Sequence, residues 1–357
     1  MARLVLDSVV VEGAAQRRLD QVSIDVGDGD FVGVVGGSGS GKTSLLRAVA
    51  GLDRVTAGRV RIGGSDVTGE PPRDRDIGMV FQAPALIGHL SARRNVSFPL
   101  EMRHRGAEEI RHRVDAEARA LHIEQLLERE PSRLSHGEQQ MVQIARALVR
   151  APRLLLLDEP FAWLDEHLRS RMRAEIALLQ AGYGVTTLMA TNDPADVMSL
   201  TRSLVVLESG RVVQQGVTSL VRESPATLMA AAATGSLSLI DMTVVGDGTG
   251  YWLMREDPGG GELVRIRVWS PAYRAHVGSV VAVAFRPEQL VVSATGAIPA
   301  VVERRLPMSP GGVRCSVAGA SLMVTADHAG GLSEGDAVRL RVDHLVAFDK
   351  LTDAAIV

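Results

Sequence analysis

The chain has 357 residues, a formal net charge of −3 at pH 7 and a pI near 6.3. Its length predicts two domains, and its balanced charge excludes the basic surface that is typical of proteins that bind nucleic acid. A single cysteine, Cys315, excludes an intramolecular disulfide framework and fits a reducing compartment. Because no signal-like segment follows Met1 and no apolar run reaches about 18 residues, we expect a soluble chain that needs partner chains for any role at a membrane.

The first predicted elements are short strands. Between residues 3 and 35 apolar and polar side chains alternate, as at Val22, Ile24 and Val26, which predicts a few antiparallel strands with one solvated face. The region ends in a continuous apolar run, residues 31–35, which predicts a buried strand.

A glycine-rich stretch lies between that buried strand and an apolar segment that predicts a helix. Strand, glycine turn and helix in this order are what a phosphate-binding P-loop requires, because small residues let backbone N–H groups surround phosphate oxygens at the positive end of a helix. Lys42 is predicted to reach the β- and γ-phosphates, and Thr43 to offer its hydroxyl to Mg²⁺. The chain has one other lysine, Lys350, so a lysine is kept where a compact charge suits a phosphate pocket better than a planar guanidinium. The residues predicted to hold the nucleotide here are Gly36, Gly37, Ser38, Gly39, Ser40, Gly41, Lys42, Thr43 and Ser44.

The next part of the chain changes from strand to helix. Residues 77–82 predict a short buried strand that ends at Gln82, and residues 83–150 are predicted to be mainly helical. Within them, the turn at residues 134–138 is predicted to begin a helix that is capped by Ser135.

Two carboxylates follow an apolar run, residues 154–157, that predicts a strand buried on both faces. Phosphoryl transfer needs positioning and charge neutralisation more than covalent chemistry. Asp158 is therefore predicted to hold the Mg²⁺ shell and Glu159 to orient or activate the attacking water. A helix and a further strand, residues 185–191, come next, and this alternation predicts a parallel, doubly wound sheet.

The sequence pattern changes again near residue 235. Beyond it, short segments such as residues 264–268 alternate apolar side chains with arginines, which predicts a small all-β barrel. We therefore predict an α/β P-loop domain at residues 1–235, with a helical subdomain at about 83–150, and a β-barrel domain at residues 236–357.

On five motifs the chain resembles the ATP-binding-cassette (ABC) ATPases, because the motifs occur in the order found in that family. They are the P-loop, Gln82 after a buried strand, the signature-like residues 134–138, the pair Asp158 and Glu159, and the run Ala162, Trp163, Leu164 and Asp165. The C-terminal domain, with Arg286, Pro287 and Glu288, is similar to the OB-type regulatory domain of the sugar-importer (maltose-importer ATPase-like) subfamily. The resemblance implies a P-loop cassette with a mixed, largely parallel sheet and a helical subdomain, followed by a small OB-like barrel.

The resemblance also implies cofactors, partners and further site residues. Two ATP molecules with Mg²⁺ would lie in a two-fold dimer, a homodimer or a heterodimer, each between the P-loop of one subunit and the signature of the other. The dimer would drive two membrane permease subunits that receive substrate from an extracytoplasmic binding protein, at the cytoplasmic face of the membrane and without nucleic acid. The implied signature residues are Ser135, His136, Gly137 and Glu138; the catalytic residues are Glu159, Gln82, Asn192 and Asp165; and the metal ligands are Thr43, Gln82 and Asp158.

Three positions depart from the family pattern. The family has an aromatic ring near position 13 that stacks on adenine, whereas Gly13 and its neighbours offer none. The second signature position is His136, which is tolerable because the turn acts through backbone N–H groups. The family's switch histidine is replaced by Asn192, whose amide can donate a hydrogen bond to a phosphate but carries no positive charge. Alternatively, Asn192 or Asp193 only caps the following helix.

Two interpretations of the function stay open at this point. The first is the energising subunit of an importer, in which the intact P-loop and Glu159 support slow ATP hydrolysis. The second is a non-hydrolysing, nucleotide-sensing regulator or the degenerate half of a mixed dimer, which is motivated by Gly13 and Asn192. In the β domain, Arg286 and Glu288 either pair with one another or face a regulator.

Overall fold

The computed structural model describes residues 2–14, 16–162, 164–258, 262–306, 312–326 and 331–357. Trp163 of the motif at residues 162–165 lies outside the described residues. The chain divides into two compact units, Met1–Ser219 and Leu220–Val357. The domain boundary at residue 235 stays a prediction. Within the described ranges, no helix is both long enough and apolar enough to cross a membrane.

The first unit combines two sheets with a set of helices. Its strands are β1 (Leu4–Val11), β2 (Leu19–Val26), β3 (Phe31–Val35), β4 (Ala57–Ile62), β5 (Ser65–Asp66), β6 (Ile77–Val80), β7 (Leu154–Asp158), β8 (Thr186–Ala190), β9 (Ser203–Glu208) and β10 (Arg211–Val217). Its helices are α1 (Lys42–Ala50), α2 (Ala92–Glu101), α3 (Ala107–Ala120), α4 (His136–Leu148), α5 (Glu166–Tyr183) and α6 (Pro194–Leu200), and α7 (Thr218–Glu223) runs across the division between the units.

The two sheets differ in the direction of their strands. The first is antiparallel in the order β2-β1-β4-β5, and alternate residues of β2 are buried, as the sequence predicts. The second has the order β10-β9-β3-β8-β7-β6 and is parallel apart from the β9–β10 hairpin. Every residue of β3, β7 and β8 is buried, because both faces of a parallel sheet are covered. Parallel strands end at one edge, so the segments that follow β3, β6, β7 and β8 all begin there.

The helices α2, α3 and α4 occupy the segment that is predicted to be helical. Their buried apolar side chains, among them Val96, Val114 and Val142, belong to one core with Leu157 of β7. A second core contains Leu45 of α1 and the buried side chains of the antiparallel sheet. The two cores lie on the two faces that the parallel sheet must cover, which fixes the sheet between them.

Glu117 of α3 is a buried carboxylate in this helical region. It is 7% exposed, and the hydroxyl of Tyr183, at the end of α5, donates a 2.9 Å hydrogen bond to its Oε1. Burial raises the pKa of Glu117, an effect that the hydrogen bond from Tyr183 opposes. Its other oxygen, Oε2, has no hydrogen-bond partner among the described residues, so the ionised carboxylate is only half satisfied.

The variant Glu117→Gln is expected to be more stable than the parent chain at neutral pH. Because folding raises the pKa of Glu117 above its ordinary value of 4.5, its contribution is favourable below pH 4.5 and is lost as the pH rises toward the raised value. Glutamine carries no charge and still accepts the Tyr183 hydrogen bond. We expect the melting temperature to rise by about 2–4 °C at pH 8, with no gain near pH 4.5. A gain that is equal at both pH values, or equal in the exposed control Glu128→Gln, would contradict this account.

The second unit contains a short helix and a second set of strands. They are α8 (Leu228–Ala233), β11 (Ser238–Gly246), β12 (Tyr251–Arg255), β13 (Val264–Val268), β14 (Val280–Phe285), β15 (Leu290–Val292), β16 (Ile298–Arg305), β17 (Gly312–Val317), β18 (Ala320–Thr325), β19 (Ala337–Val342) and β20 (Val346–Asp349). Strands β15-β18-β17-β16-β19 form a closed barrel, as predicted. The antiparallel five-stranded sheet β13-β12-β11-β14-β20 is an addition that the sequence did not predict.

Arg286 and Glu288 do not form an ion pair with one another within the described part of the second unit, which contradicts the first of the two alternatives. Arg286 is buried at the end of α8, where it donates to the carbonyl oxygens of Arg222 and Ala231, both at 3.2 Å, and to Thr234 Oγ1 at 2.7 Å. Glu288 instead accepts a hydrogen bond from the Arg222 side chain. The carbonyl groups at a helix end need donors, and the buried guanidinium supplies them.

Candidate nucleotide-binding site

The P-loop connects β3 to α1 and packs closely against neighbouring backbone. Gly36 has a φ of 154° and Gly41 a φ of 108°, both in the left-handed region that favours glycine. A Cβ atom on Gly36 would lie 2.1 Å from the oxygen of Leu207, and one on Gly41 would lie 2.8 Å from the oxygen of Arg18. The hydroxyl of Ser40 is buried without a hydrogen-bond partner among the described residues. The loop therefore offers a close backbone approach and a polar group that a phosphate oxygen can satisfy.

Lys42 lies over the P-loop. Its Nζ donates to the carbonyl oxygens of Gly36 at 2.9 Å and Gly37 at 3.0 Å, and the residue is 6% exposed. Burial lowers the pKa of Lys42, and the nearby carboxylates of Glu159 and Asp158 oppose this effect. The ammonium group thus lies at the centre of the loop, where the sequence predicts a phosphate contact.

Thr43 and Asp158 form the candidate metal site. Thr43 Oγ1 donates to Asp158 Oδ1 at 3.1 Å, which joins the first turn of α1 to the end of β7. Burial raises the pKa of Asp158, and the hydrogen bond from Thr43 opposes that effect. Hydroxyl and carboxylate oxygens are the ligands that Mg²⁺ prefers, and the ion commonly takes its other ligands from phosphates and water. The donor set therefore fits the predicted ion.

Glu159 is held between two side-chain amides. Gln82 Nε2 donates to its Oε2 at 2.9 Å, and Asn192 Nδ2 donates to its Oε1 at 2.6 Å. Gln82 follows β6 and Asn192 follows β8, and these strands flank β7, so the strand order brings the three side chains together. Glu159 has a φ of 43°, an uncommon conformation for a residue other than glycine and one that is frequent at functional sites. A carboxylate fixed at both oxygens is oriented to act as a base.

The P-loop and the amide-held carboxylate line one cleft of about 560 Å³. The residues around it are Gln16, Arg17, Arg18, Ser38, Gly39, Ser40, Gly41, Lys42, Thr43, Ser44, Gln82, Glu159, Asn192, Ser209 and Gly210. Sequence reasoning missed the first three and the last two. Gly210 N donates to Ser40 O at 2.9 Å, so the β9–β10 turn docks on the P-loop, a tertiary contact for which the sequence carries no local signal.

The signature residues are not among the described residues that line this cleft; they lie at the start of α4. Ser135 Oγ accepts from Glu138 N at 3.3 Å, and Glu138 Oε2 accepts from Ser135 N at 2.8 Å, which is a capping box. Gly137 is buried, and a Cβ atom on it would lie 2.4 Å from Cδ2 of Leu168. Ser135 and His136 are exposed, so the start of the helix faces solvent.

Of the remaining candidate residues, Asp165 and Asp193 cap helices and Asn192 does not. Asp165 caps α5 by accepting a 2.9 Å hydrogen bond from Leu168 N, outside the cleft. Asp193 caps α6 by accepting a 2.8 Å hydrogen bond from Ala195 N. The cap of α6 is thus Asp193, and the amide of Asn192 is left to contact the carboxylate that it holds.

The parallel sheet, the glycine loop at the start of α1 and the oriented carboxylate opposite it define a P-loop nucleotide-binding protein. The family model described as ABC transporter matches residues 19–162. The sn-glycerol-3-phosphate import ATP-binding protein UgpC 3 of Agrobacterium fabrum (strain C58) is 42% identical over 240 residues, which cover 67% of this chain and 68% of the relative. The chain therefore belongs to the ATP-binding-cassette family and is an ATPase of the ABC transporter type.

Two further comparisons agree with this assignment. The sn-glycerol-3-phosphate import ATP-binding protein UgpC of Rhizobium meliloti (strain 1021) is 44% identical over 223 residues, covering 62% of this chain and 64% of the relative. A solved dimeric structure of the ATP-binding cassette MJ0796 in a post-hydrolysis state, bound to ADP and Pi, matches with a TM-score of 0.55 at 30% identity. It covers 60% of this chain and 98% of that one. The predicted family, fold class and nucleotide binding are confirmed.

Proposed function

We propose that the chain is the ATP-hydrolysing subunit of an importer and couples ATP-driven dimer closure to substrate uptake. The observation that carries the proposal is Glu159, held at both oxygens by Gln82 and Asn192 on the wall of the cleft that contains Lys42. Glu159 would orient the attacking water and accept its proton. This arrangement favours hydrolysis over a nucleotide-sensing regulator, because a regulator has no need of an oriented base.

The phosphates of ATP are proposed to lie on the P-loop, in contact with Lys42 and the hydroxyl of Ser40. Backbone N–H groups at the start of α1 add to the positive potential there. Thr43, Gln82 and Asp158 would hold Mg²⁺, which when bound neutralises phosphate charge. The support for these assignments is the buried Ser40 hydroxyl, to which no described residue makes a hydrogen bond, and the oxygen donor set at the end of β7.

A second subunit is proposed to complete the site. The start of α4, with Ser135 and His136, is exposed, so the positive end of this helix can cover a nucleotide on another subunit, and Glu138 fixes the cap. An interface in which each subunit covers the nucleotide of the other is self-complementary. It favours a two-fold pair, either a homodimer or a mixed dimer. The dimeric MJ0796 cassette supports this arrangement by analogy.

A permease contact is proposed on the segment that follows Gln82 and on α2. The loop at residues 83–89 is largely exposed, and Phe98 and Met102 leave 36% and 64% of their surfaces in solvent. Gln143 of α4 donates to Phe81 O at 2.9 Å and accepts from Ala85 N at 2.8 Å, so it ties this loop to the helix that begins at the signature. A movement at the signature can therefore reach the loop through α4.

The substrate class is proposed from the relatives, which are named for sn-glycerol-3-phosphate import. We infer a sugar or polyol phosphate, delivered by an extracytoplasmic binding protein to two permease subunits, with this chain at the cytoplasmic face of the membrane. Proteoliposomes that contain the chain and its permease partners, with the binding protein outside, are expected to take up labelled sn-glycerol-3-phosphate or a sugar only when ATP is present on the side of this chain. Permeases that leave its ATP turnover unchanged would contradict a role in import.

The variant Asn192→His is expected to raise ATP turnover above that of the parent chain. An imidazole can donate to Glu159 and can also carry positive charge near a phosphate, so turnover should become pH-dependent near pH 6.5, where histidine titrates. The isosteric variant Asn192→Asp removes the donor and places like charge against Glu159, which is expected to lower turnover by about tenfold or more. Steady-state phosphate release between pH 6 and 8 measures both effects, and no gain in Asn192→His would count against Asn192 as the limiting feature.

A further inference from the structure

The cleft has no aromatic side chain among the described residues that line it. Val11, Glu12, Gly13 and Ala14 also contain no ring, so a nucleobase has no aromatic platform at the place where the resemblance leads one to expect it. The cleft wall in this part of the chain is instead formed by residues 16–18, a glutamine and two arginines.

The backbone of Arg18 is fixed next to the P-loop. Arg18 N donates to Val11 O at 2.8 Å, immediately before β2 begins, and its own oxygen lies 2.8 Å from the position of a Cβ on Gly41. A base whose phosphates rest on the P-loop therefore lies within reach of this side chain.

The guanidinium of Arg18 is held by its edge. Its Nη1 donates to Asp53 Oδ2 at 3.0 Å and its Nε to Glu12 O at 3.4 Å, while 46% of the side chain remains exposed. Asp53 is itself buried and is fixed by Arg47 of α1, at 3.0 Å. Hydrogen bonds in the plane of a guanidinium leave its faces free, and a planar guanidinium stacks well on aromatic rings.

We propose that Arg18 supplies the stacking face for the nucleobase in place of an aromatic ring. The inference rests on the proposed nucleotide site and adds a residue that determines base affinity. Every base has a π-face, so a platform of this kind holds bases with little discrimination, and ATP and GTP bind with similar affinity.

The adjacent Arg17 provides a matched control. It has the same charge and lines the same cleft, but its guanidinium pairs with Glu12, which is exposed, and with Asp20, which also binds Arg211. Four variants therefore distinguish stacking on a planar side chain from attraction by a positive charge. They are Arg18→Ala, Arg18→Lys, Arg18→Tyr and Arg17→Ala.

The test is titration calorimetry of the full chain with Mg-ATP, Mg-GTP and inorganic tripolyphosphate, which has no base. Arg18→Ala and Arg18→Lys are expected to weaken both nucleotides by about 5- to 150-fold. The affinity of these two variants for tripolyphosphate should stay within about twofold of the parent's, because the charge of a half-exposed, paired arginine contributes little to binding. Arg18→Tyr should retain nucleotide affinity. Arg17→Ala should change the affinities for nucleotide and tripolyphosphate by the same factor, because Arg17 lines the cleft as a charge and supplies no stacking face.

Several results would overturn the inference. An equal loss of affinity for tripolyphosphate and ATP in Arg18→Ala means that Arg18 attracts the phosphates by its charge and does not stack on the base. Unchanged ATP affinity in Arg18→Ala removes the special role of Arg18, and so does a loss in Arg17→Ala that is as large and as selective for nucleotides over tripolyphosphate. A parent chain that binds tripolyphosphate but no nucleotide overturns the base platform alone, whereas one that binds neither also overturns the proposed function. Retained tripolyphosphate binding shows that a variant is folded.

Discussion

The variant Glu159→Gln is expected to lose at least about 10²-fold of ATP turnover, the usual contribution of a general base, while it still binds ATP. In the parent, Gln82 and Asn192 donate to the two carboxylate oxygens of Glu159, so the base is oriented in the cleft. Glutamine has nearly the same shape but cannot accept a proton from water. Its own amide also meets two donors with one acceptor, so one hydrogen bond is lost.

Single-turnover phosphate release and equilibrium ATP binding measure the two effects separately. The control is Glu128→Gln, which makes the same chemical change on a side chain that is 79% exposed and pairs with Arg93. Phosphate release at one rate in the parent, the control and Glu159→Gln would contradict hydrolysis at this site. That result would favour the interpretation of a non-hydrolysing regulator.

The variant Lys42→Ala is expected to weaken ATP binding by about 10- to 150-fold, the range for one hydrogen bond to a charged group. Lys42 is buried over the P-loop, and its ammonium contacts only backbone carbonyl oxygens among the bonds that the described residues make to it. Its removal leaves the phosphates without their central counter-charge. Lys42→Arg is expected to lose nearly as much, because a planar guanidinium does not fit the space of a compact ammonium group.

The chain offers a matched control in its other lysine. Lys350 Nζ pairs with Asp241 on the surface of the second unit, at 2.8 Å, with about half of each side chain exposed. Lys350→Ala should therefore bind ATP like the parent. Equal affinities of Lys42→Ala and Lys350→Ala for Mg-ATP in a fluorescence competition assay would contradict a phosphate contact at Lys42.

The parts of the fold that were predicted correctly have local signals. A continuous apolar run predicts β3 and β7 because both faces of those strands are buried. The glycines of the P-loop predict a tight turn because three of them, Gly36, Gly39 and Gly41, adopt conformations that other residues avoid. Short-range patterns of this kind depend on few distant contacts, so they can be recognised in the sequence without knowledge of the tertiary structure.

The organisation of the site depends on contacts that the sequence does not display. Gln82, Glu159 and Asn192 could each be predicted as site residues, but their mutual hydrogen bonds follow from the strand order β8-β7-β6. In the same way, Gly210 reaches the cleft because the β9–β10 turn docks on the P-loop, and Arg18 reaches it because its backbone packs against Gly41. Adjacency of strands is a property of the whole sheet.

The placement of Arg286 and Glu288 in the second unit also depends on distant contacts. Arg286 and Glu288 are two positions apart and of opposite charge, which favours a local pair. The structure instead places Glu288 against Arg222 and buries Arg286 under the end of α8, where carbonyl groups need donors. Burial and helix ends outweigh a short-range attraction between exposed charges.

The central claim is that ATP binds at the P-loop cleft with its reacting phosphate facing Glu159. Isothermal titration of Mg-ATP into the Glu159→Gln chain tests it most directly, because turnover does not obscure the binding heat. The account predicts saturable binding of one nucleotide per chain, with an affinity that falls by about 10- to 150-fold when Lys42→Ala is added. Absence of binding heat at millimolar Mg-ATP, or an unchanged isotherm in the double variant, would contradict it.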